Sequence, residues 1–329
     1  MSQSFLLSAK AVTLGVIEIA RLSDAEAYAQ FKAIRFAENG GEPFCPHCGC
    51  TACYTFTSRP LFKCKACEKQ FTVTSKTIFN SRKLSLQTIL VAIKLFVDGV
   101  NGKAALHLRR NLYLTYKTTF VLAHKLREAM ASIQADHQIT GEVEIDGVYI
   151  GGHIRPANMR ADRTSKHAGA AQRRRCIVTF KERGIGGRSR SFVLKGESEA
   201  QPLIRDLVHP SADVVTDLAD TWGNLLLDFN SHSTVNHTLG MVIDGIHINN
   251  VEGYHSRIRR GERGVYVSLN HKHAQNYADE FSWREDHRRV SNGQQFQSVL
   301  GRAVVMPAST RWVGYWQKRP KLGAAPLAA

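Results

Sequence analysis

The sequence predicts an α/β protein in which a cysteine-rich module and a helical segment precede a mixed layer of strands and helices. Three observations predict it. Six of the seven cysteines fall within 23 residues, from Cys45 to Cys67. Apolar residues then recur at helical spacing through residues 85–131. After Gly141 the pattern changes to short, partly alternating runs interleaved with helical ones, as expected of a mixed α/β layer.

Each element follows from local chemistry. Residues 1–41 form an N-terminal helical segment. Within it, Ser23-Asp24-Ala25-Glu26 has the form of a capping box and opens a helix over about 24–38, which Asn39-Gly40-Gly41 ends. Residues 42–83 hold the cysteine cluster. Residues 84–140 carry three helices: one around Leu86, Ile89, Leu90, Ile93 and Phe96, a short one from Gly102 to Arg109, and one from Thr115 to Met130. Residues 141–290 follow. Strands are expected at 142–150, 176–180, 191–195, 213–216 and 234–238, and helices at 198–208, 249–260 and 273–284. Residues 291–329 form a C-terminal extension whose tail, after Lys318, is expected to be disordered.

Charge narrows the function. The 329 residues contain 44 Lys plus Arg against 28 Asp plus Glu, a net charge of +16 with a pI of about 9.7. A polyanionic partner is expected. Residues 213–254 contain no Lys or Arg and six acids: Asp213, Asp217, Asp220, Asp228, Asp244 and Glu252. The rest of the chain carries +22. A basic envelope around an acidic island suits a nucleic-acid enzyme that holds metal ions with carboxylates. No run reaches the roughly 18 apolar residues that span a bilayer, and the N-terminus lacks a basic signal-peptide start. A cytoplasmic protein with no membrane partner is therefore expected.

Cys45-Pro46-His47-Cys48 and Cys64-Lys65-Ala66-Cys67 are two CxxC knuckles separated by 15 residues. Four thiolates at ~2.3 Å satisfy tetrahedral zinc, and this spacing is a zinc pattern. Four protein ligands leave no open position, so the site is expected to be structural. Cys50 and Cys53 form a third CxxC and are read as free thiols. Lys63, Lys65, Lys69 and Lys76 on the second half are equally suited to touching DNA and to being a solvated face. Residues 102–131 fit a helix-turn-helix, with Tyr116, Lys117, Thr118 and Thr119 opening the recognition helix, or else an ordinary helical hairpin.

Asp146, Asp217 and Glu252 are the candidate catalytic acids. Asp146 lies in the strand that opens the second half, Asp217 ends the strand Val214-Val215-Thr216, and Glu252 lies on the helix that starts near Ile248. They converge only if the two strands are neighbours and the helix packs beside them. Two Mg2+ ions about 3.5–4 Å apart would then support phosphodiester cleavage and transfer without a side-chain nucleophile. Each acid also has a plain structural reading: Asp146 as a solvated residue sharing a face with Glu142 and Glu144, Asp217 as a turn residue, and Glu252 as a surface partner of Arg259. Asn249, Glu252, Ser256 and Arg259 share one helix face.

The motifs together resemble a known family. They are Cys45-Pro46-x-Cys48-Gly49, Lys63-Cys64-x-x-Cys67, Leu126-Arg127-Glu128-Ala129-Met130, Glu144-Ile145-Asp146-Gly147 with Gly151-Gly152, Asn250-Val251-Glu252-Gly253, Arg259-Arg260-Gly261 and Asp279-Glu280-Phe281. The chain resembles bacterial insertion-sequence transposases of the DDE class with an N-terminal zinc ribbon, the ISXO-like type, over about residues 24–290. The resemblance implies an RNase H-like catalytic domain at 141–290. It implies Asp146, Asp217 and Glu252 as ligands of Mg2+ or Mn2+, and a structural Zn2+ in the ribbon. Relatives also use Asn in the third place, which leaves Asn249 or Asn250 as the alternative to Glu252. The implied function is binding of terminal inverted repeats, then cleavage and strand transfer. The implied partners are the DNA of the element ends and target, bound by a homo-oligomer. Arg259, Arg260, Lys117 and the basic segment with Arg173, Arg174 and Arg175 would meet DNA. The alternative is a non-catalytic zinc-ribbon DNA-binding regulator derived from such an enzyme.

Overall fold

The computed structural model describes residues 4–135, 138–151, 174–218, 222–223, 225–236, 242, 246–266, 269 and 271–317. The expected disorder after Lys318, most of the basic segment between Gly152 and Cys176 (Arg173 included), Asp220 and Asp244 lie outside the described residues. The chain forms two compact units. One comprises Met1–Gly99, Lys103–Met130 and Val290–Ala329, and the other Val100–Gly102 and Ala131–Arg289.

The first unit contains helices α1 (Val16–Ala20), α2 (Asp24–Arg35), α3 (Leu86–Val97), α4 (Ala105–Leu112) and the start of α5 (Tyr116–Gln134). The capping box is present: the Ser23 hydroxyl accepts from the Glu26 amide at 3.3 Å, and Glu26 accepts from the Ser23 amide at 2.8 Å. Three short strands, β1 (Cys53–Thr55), β2 (Phe62–Cys64) and β3 (Gln70–Phe71), form an antiparallel sheet. Helix α3 is apolar on most of its surface and packs against α1, α2 and α4. The C-terminal extension also belongs to this unit. Its helix, Asn292–Val305, packs on α2 and α3, and the Asn292 side chain accepts from the backbone amides of Thr13 and Leu14. Helices α4 and α5 are joined by Tyr113–Thr115, with Tyr113 in the left-handed region at φ 51°.

The second unit is built on a five-stranded sheet of β4 (Glu142–Ile150), β5 (Arg175–Glu182), β6 (Ser189–Leu194), β7 (Asp213–Asp217) and β8 (Ser231–Val235). The order is β6-β5-β4-β7-β8. Strands β4, β5 and β6 pair antiparallel with one another, whereas β7 and β8 continue the sheet in parallel with β4. Strand β5, between β6 and β4, is buried from Cys176 to Lys181, as a strand covered on both faces should be. One face, with Val143, Ile145, Val178, Phe180 and Val214, packs with α6 (Gln201–Leu207), Trp222 and Leu225. The opposite face carries α7 (Asn249–Gly261) and α8 (Ala274–Asp286), through Val148, Ile150, Ile177, Tyr254, Ile258 and Phe281. The helix over Asn292–Val305 is α9. Strand β8 covers Ser231–Val235, a few residues earlier than the expected 234–238, because its polar Ser231-His232-Ser233 start has no apolar alternation to mark it.

Strand β4 departs from the solvated-face reading of Glu142, Glu144 and Asp146. Glu142 is exposed and Asp146 half-buried, but Glu144 is 0% exposed. Its carboxylate accepts from Arg183 Nε at 2.7 Å, Asn250 Nδ2 at 2.7 Å and the Val251 amide at 2.8 Å. The N-cap position of α7 is Ile248, whose side chain cannot cap. Glu144 therefore supplies from a strand the acceptor that a Ser or Asp would normally supply locally, and its charge complements the positive end of the helix. Glu144→Ala would leave Arg183 and the helix end without that acceptor. Breaking a buried pair of this kind costs about 3–5 kcal/mol. Urea unfolding of the full chain should show the loss, and an unchanged midpoint would mean the carboxylate does not hold the helix.

Candidate active site and metal centre

Asp146 and Asp217 are brought together by strand register. Parallel pairing of β4 with β7 matches Ile145 with Thr216, so Asp146 and Asp217 are the next residues on neighbouring strands. Adjacent strands lie about 4.8 Å apart, and paired residues share a face. Asp217 closes β7, and its Oδ1 accepts from Trp222 Nε1 at 2.7 Å. Asp146 is held on both oxygens. Oδ1 accepts from the Gly147 amide at 2.7 Å, and Oδ2 lies 3.1 Å from His255 Nδ1.

Glu252 stands on α7 next to Val251, whose amide Glu144 fixes. Glu144 and Asp146 are two positions apart on one face of β4. Helix α7 is thus anchored beside the strand that carries Asp146. Val251, Tyr254, His255 and Ile258 are buried beneath the helix, whereas Asn249, Ser256, Arg259 and Arg260 are exposed and Glu252 is half-buried. Of the two asparagines considered for the third place, Asn250 donates to Glu144, and Asn249 stays on the exposed face.

A fourth acid carries no signal in the sequence. Glu197 follows β6 on a short 3-10 turn, Glu197–Ala200. Burial holds its carboxyl above the usual range, and the neighbouring charges of Asp217 and then Asp146 push it further the same way. Glu197 therefore lies within electrostatic reach of both aspartates. It occupies the space where a side chain on Gly147 would go: a Cβ there would meet the Glu197 carboxylate. Cys176 Sγ lies 3.8 Å from Glu197 Oε1, and burial followed by the Glu197 and Asp146 charges raises its thiol well above the ordinary range. No sequence spacing connects Glu197 to the other acids. A residue just beyond β6 becomes a neighbour only through the order of the sheet.

The acidic island divides into structural and site residues. Asp213 accepts from Ser231 Oγ at 2.6 Å and Asn230 Nδ2 at 2.8 Å, bonds that hold its carboxyl below the usual carboxylate range. Asp228 pairs with Arg205 at 2.9 Å. Of the other described acids of the island, Asp217 closes β7 and Glu252 stands on α7.

Of the expected DNA-contacting residues, Lys117 is exposed in the first turn of α5, with its ammonium 5.8 Å from the Trp316 ring. Arg259 and Arg260 are exposed in the last turn of α7. Arg174 stacks on Tyr149 at 4.3 Å, and Arg175 begins β5.

In the first unit, the sulfurs of Cys45, Cys48, Cys64 and Cys67 lie within 4.8 Å of one another. Cys45 Sγ is 3.5 Å from Cys67 Sγ, and Cys48 Sγ is 3.6 Å from Cys64 Sγ. A tetrahedron of sulfurs at ~2.3 Å from one ion has edges of about 3.8 Å, so the four are arranged as ligands. Donation from the Cys67 amide draws the Cys64 thiol down to about 6, whereas burial raises that of Cys45. Cys50 and Cys53 stand outside the cluster, each sulfur directed at a nearby backbone carbonyl.

No helix among the described residues is long and apolar enough to cross a membrane. No significant match is found among curated proteins or solved structures. Two family models do match. Residues 22–70 match the transposase zinc-ribbon domain, and residues 138–286 match the ISXO2-like transposase domain. The four-cysteine cluster lies in the first of these spans and the paired aspartates in the second, and together they identify the chain as an insertion-sequence transposase with an N-terminal zinc ribbon.

Proposed function

We propose that this transposase binds the terminal inverted repeats of its element and cleaves and joins DNA with Asp146, Asp217 and Glu252 as its catalytic acids. The observation that carries the reading is the register of β4 with β7, which makes the two aspartates neighbours beside the helix that bears Glu252. The sheet order, three antiparallel strands extended by two parallel ones, supports an RNase H-like domain. The donor set suits a hard cation, because its ligand atoms are carboxylate oxygens. Bound Mg2+ or Mn2+ would stabilise the attacking and leaving oxygens of an in-line displacement.

The chain's own residues do the rest. Trp222 engages Asp217 Oδ1 and thereby fixes the plane of the carboxylate. Glu144 sets the start of α7 and so the position of Glu252. Arg259 and Arg260 project from the same helix with geometry suited to phosphate oxygens. The nucleophile is first water and then a DNA 3′-hydroxyl, so no serine or cysteine need take part. In the first unit, α4, the Tyr113–Thr115 turn and α5 fit a helix-turn-helix that offers Lys117 to DNA. Zinc held by the four clustered cysteines supports the fold of the ribbon. Assembly of several copies on DNA in the cytoplasm belongs to the same reading. The regulator alternative gains nothing from the structure, because a protein that only binds DNA has no need of paired aspartates flanked by Glu197.

Asp146→Asn or Asp217→Asn should abolish cleavage of labelled element ends in Mg2+ while end binding persists; full cleavage by either variant would sink the assignment. Glu252→Gln should match them and Asn249→Ala should not, with the reverse pattern making Asn249 the third ligand. Reduced protein should contain about one equivalent of zinc in the ribbon. Chelation should unfold residues 42–83, visible as proteolysis confined to that region, and an unaffected ribbon would exclude a structural ion. Lys117→Ala should lower the slope of log affinity against log salt by about one, weakening all DNA sequences alike.

A further inference from the structure

His255 is 4% exposed on the inner face of α7, and both of its ring nitrogens are engaged. Nδ1 lies 3.1 Å from Asp146 Oδ2, and Nε2 lies 3.2 Å from Thr179 Oγ1. Thr179 is the antiparallel partner of Asp146 across β4 and β5, and Ser191 is the partner of Thr179 across β5 and β6. Thr179 Oγ1 lies 3.0 Å from Ser191 Oγ, which receives a hydrogen bond from Ser282 Oγ at 2.9 Å. The Tyr254 hydroxyl lies 3.1 Å from Ser191 Oγ and 3.2 Å from Ser282 Oγ.

Donor counting fixes one end of this row. The Asp146 carboxylate only accepts, so Nδ1 carries a proton toward it. Nε2 meets the Thr179 hydroxyl, and the row continues through Ser191, Ser282 and Tyr254 as one buried set of hydrogen bonds. The Asp146 carboxylate has about four lone-pair sites. Gly147 and His255 occupy one on each oxygen, which leaves one further site on each.

We propose that His255 is a positioning residue for Asp146: held by the Thr179–Ser191–Ser282–Tyr254 row with its Nδ1–H toward Oδ2, it sets the plane of the Asp146 carboxylate. The outer hydrogen bonds of a metal ligand commonly act this way, and losing one costs about 10–100-fold in metal affinity or activity. The role in metal binding rests on the reading of Asp146 as a ligand, whereas the Nδ1–H to Oδ2 hydrogen bond itself does not.

Two measurements on the full chain separate the two. In metal-free protein labelled with 15N-histidine, the His255 signal, identified by its loss in H255N, should show a protonated Nδ1. An unprotonated Nδ1 would overturn the proposal whatever the metal does. Mn2+ binding, followed by electron paramagnetic resonance, should be lost in D146N and weakened about tenfold or more in H255F. H255N, which can place an amide N–H near Asp146 Oδ2, should recover most of that loss. T179V, which leaves the Asp146 carboxylate and its own two donors in place, should weaken binding in the same direction and serves if H255F fails to fold. Loss of binding in D146N with none in H255F and T179V would overturn the positioning role. Unchanged binding in D146N would instead overturn Asp146 as a ligand and leave the Nδ1–H result standing.

Discussion

The buried carboxylate of Glu144 is the interaction on which the catalytic unit depends. A carboxylate with no solvent exposure is costly unless all its acceptor capacity is met. Here it is met by a guanidinium, a side-chain amide and the backbone amide at the third position of α7. Those donors come from just beyond β5 and from a helix more than a hundred residues further along the chain, so satisfying Glu144 also fixes α7 against β4. The helix has no local cap, and a strand residue two positions before Asp146 replaces it. The placement of Glu252 relative to Asp146 is therefore tied to the energetics of one buried charge.

This explains what is legible in the sequence. The capping box at Ser23, the two CxxC knuckles and the β4 and β7 strands are readable because local chemistry dictates them. Asp146 and Asp217 stand out as acids ending or interrupting apolar strands. Glu144 does not, because alternation along β4 places it with Glu142 and Asp146, and alternation assigns a face without saying what covers that face. The covering helix is α7, and its contact with β4 is long-range. Glu197 escapes for a related reason, since its neighbours are the ends of β4 and β7 rather than anything near it in sequence. His255 carries no signal in its own segment; its role appears only when Asp146, Thr179 and Ser191 align across three strands.

The charge pattern is informative but too coarse. The run without Lys or Arg between 213 and 254 suggests a metal-binding pool. Two of its acids are paired or hydrogen-bonded for structure, Asp228 with Arg205 and Asp213 with Ser231 and Asn230. A third carboxylate within reach of the aspartates comes from outside the run, at Glu197. Sequence density of acids thus locates the right region, whereas sheet topology selects its members.

Metal and fold stand in opposite relation in the two units. The ribbon has strands of only three, three and two residues, around Phe36, Phe62 and Phe71. So small a sheet gains little from burial and needs a cross-link, which four thiolates on one ion provide. The catalytic unit has a five-stranded sheet covered on both faces by apolar side chains. Burial raises the Glu197 carboxyl there, and the charges of Asp217 and then Asp146 raise it further. Packing, Glu144 and the hydrogen bonds of His255 and Trp222 hold its neighbours in place. In the ribbon an ion would organise the protein; in the second unit the apolar core and these hydrogen bonds organise it without one.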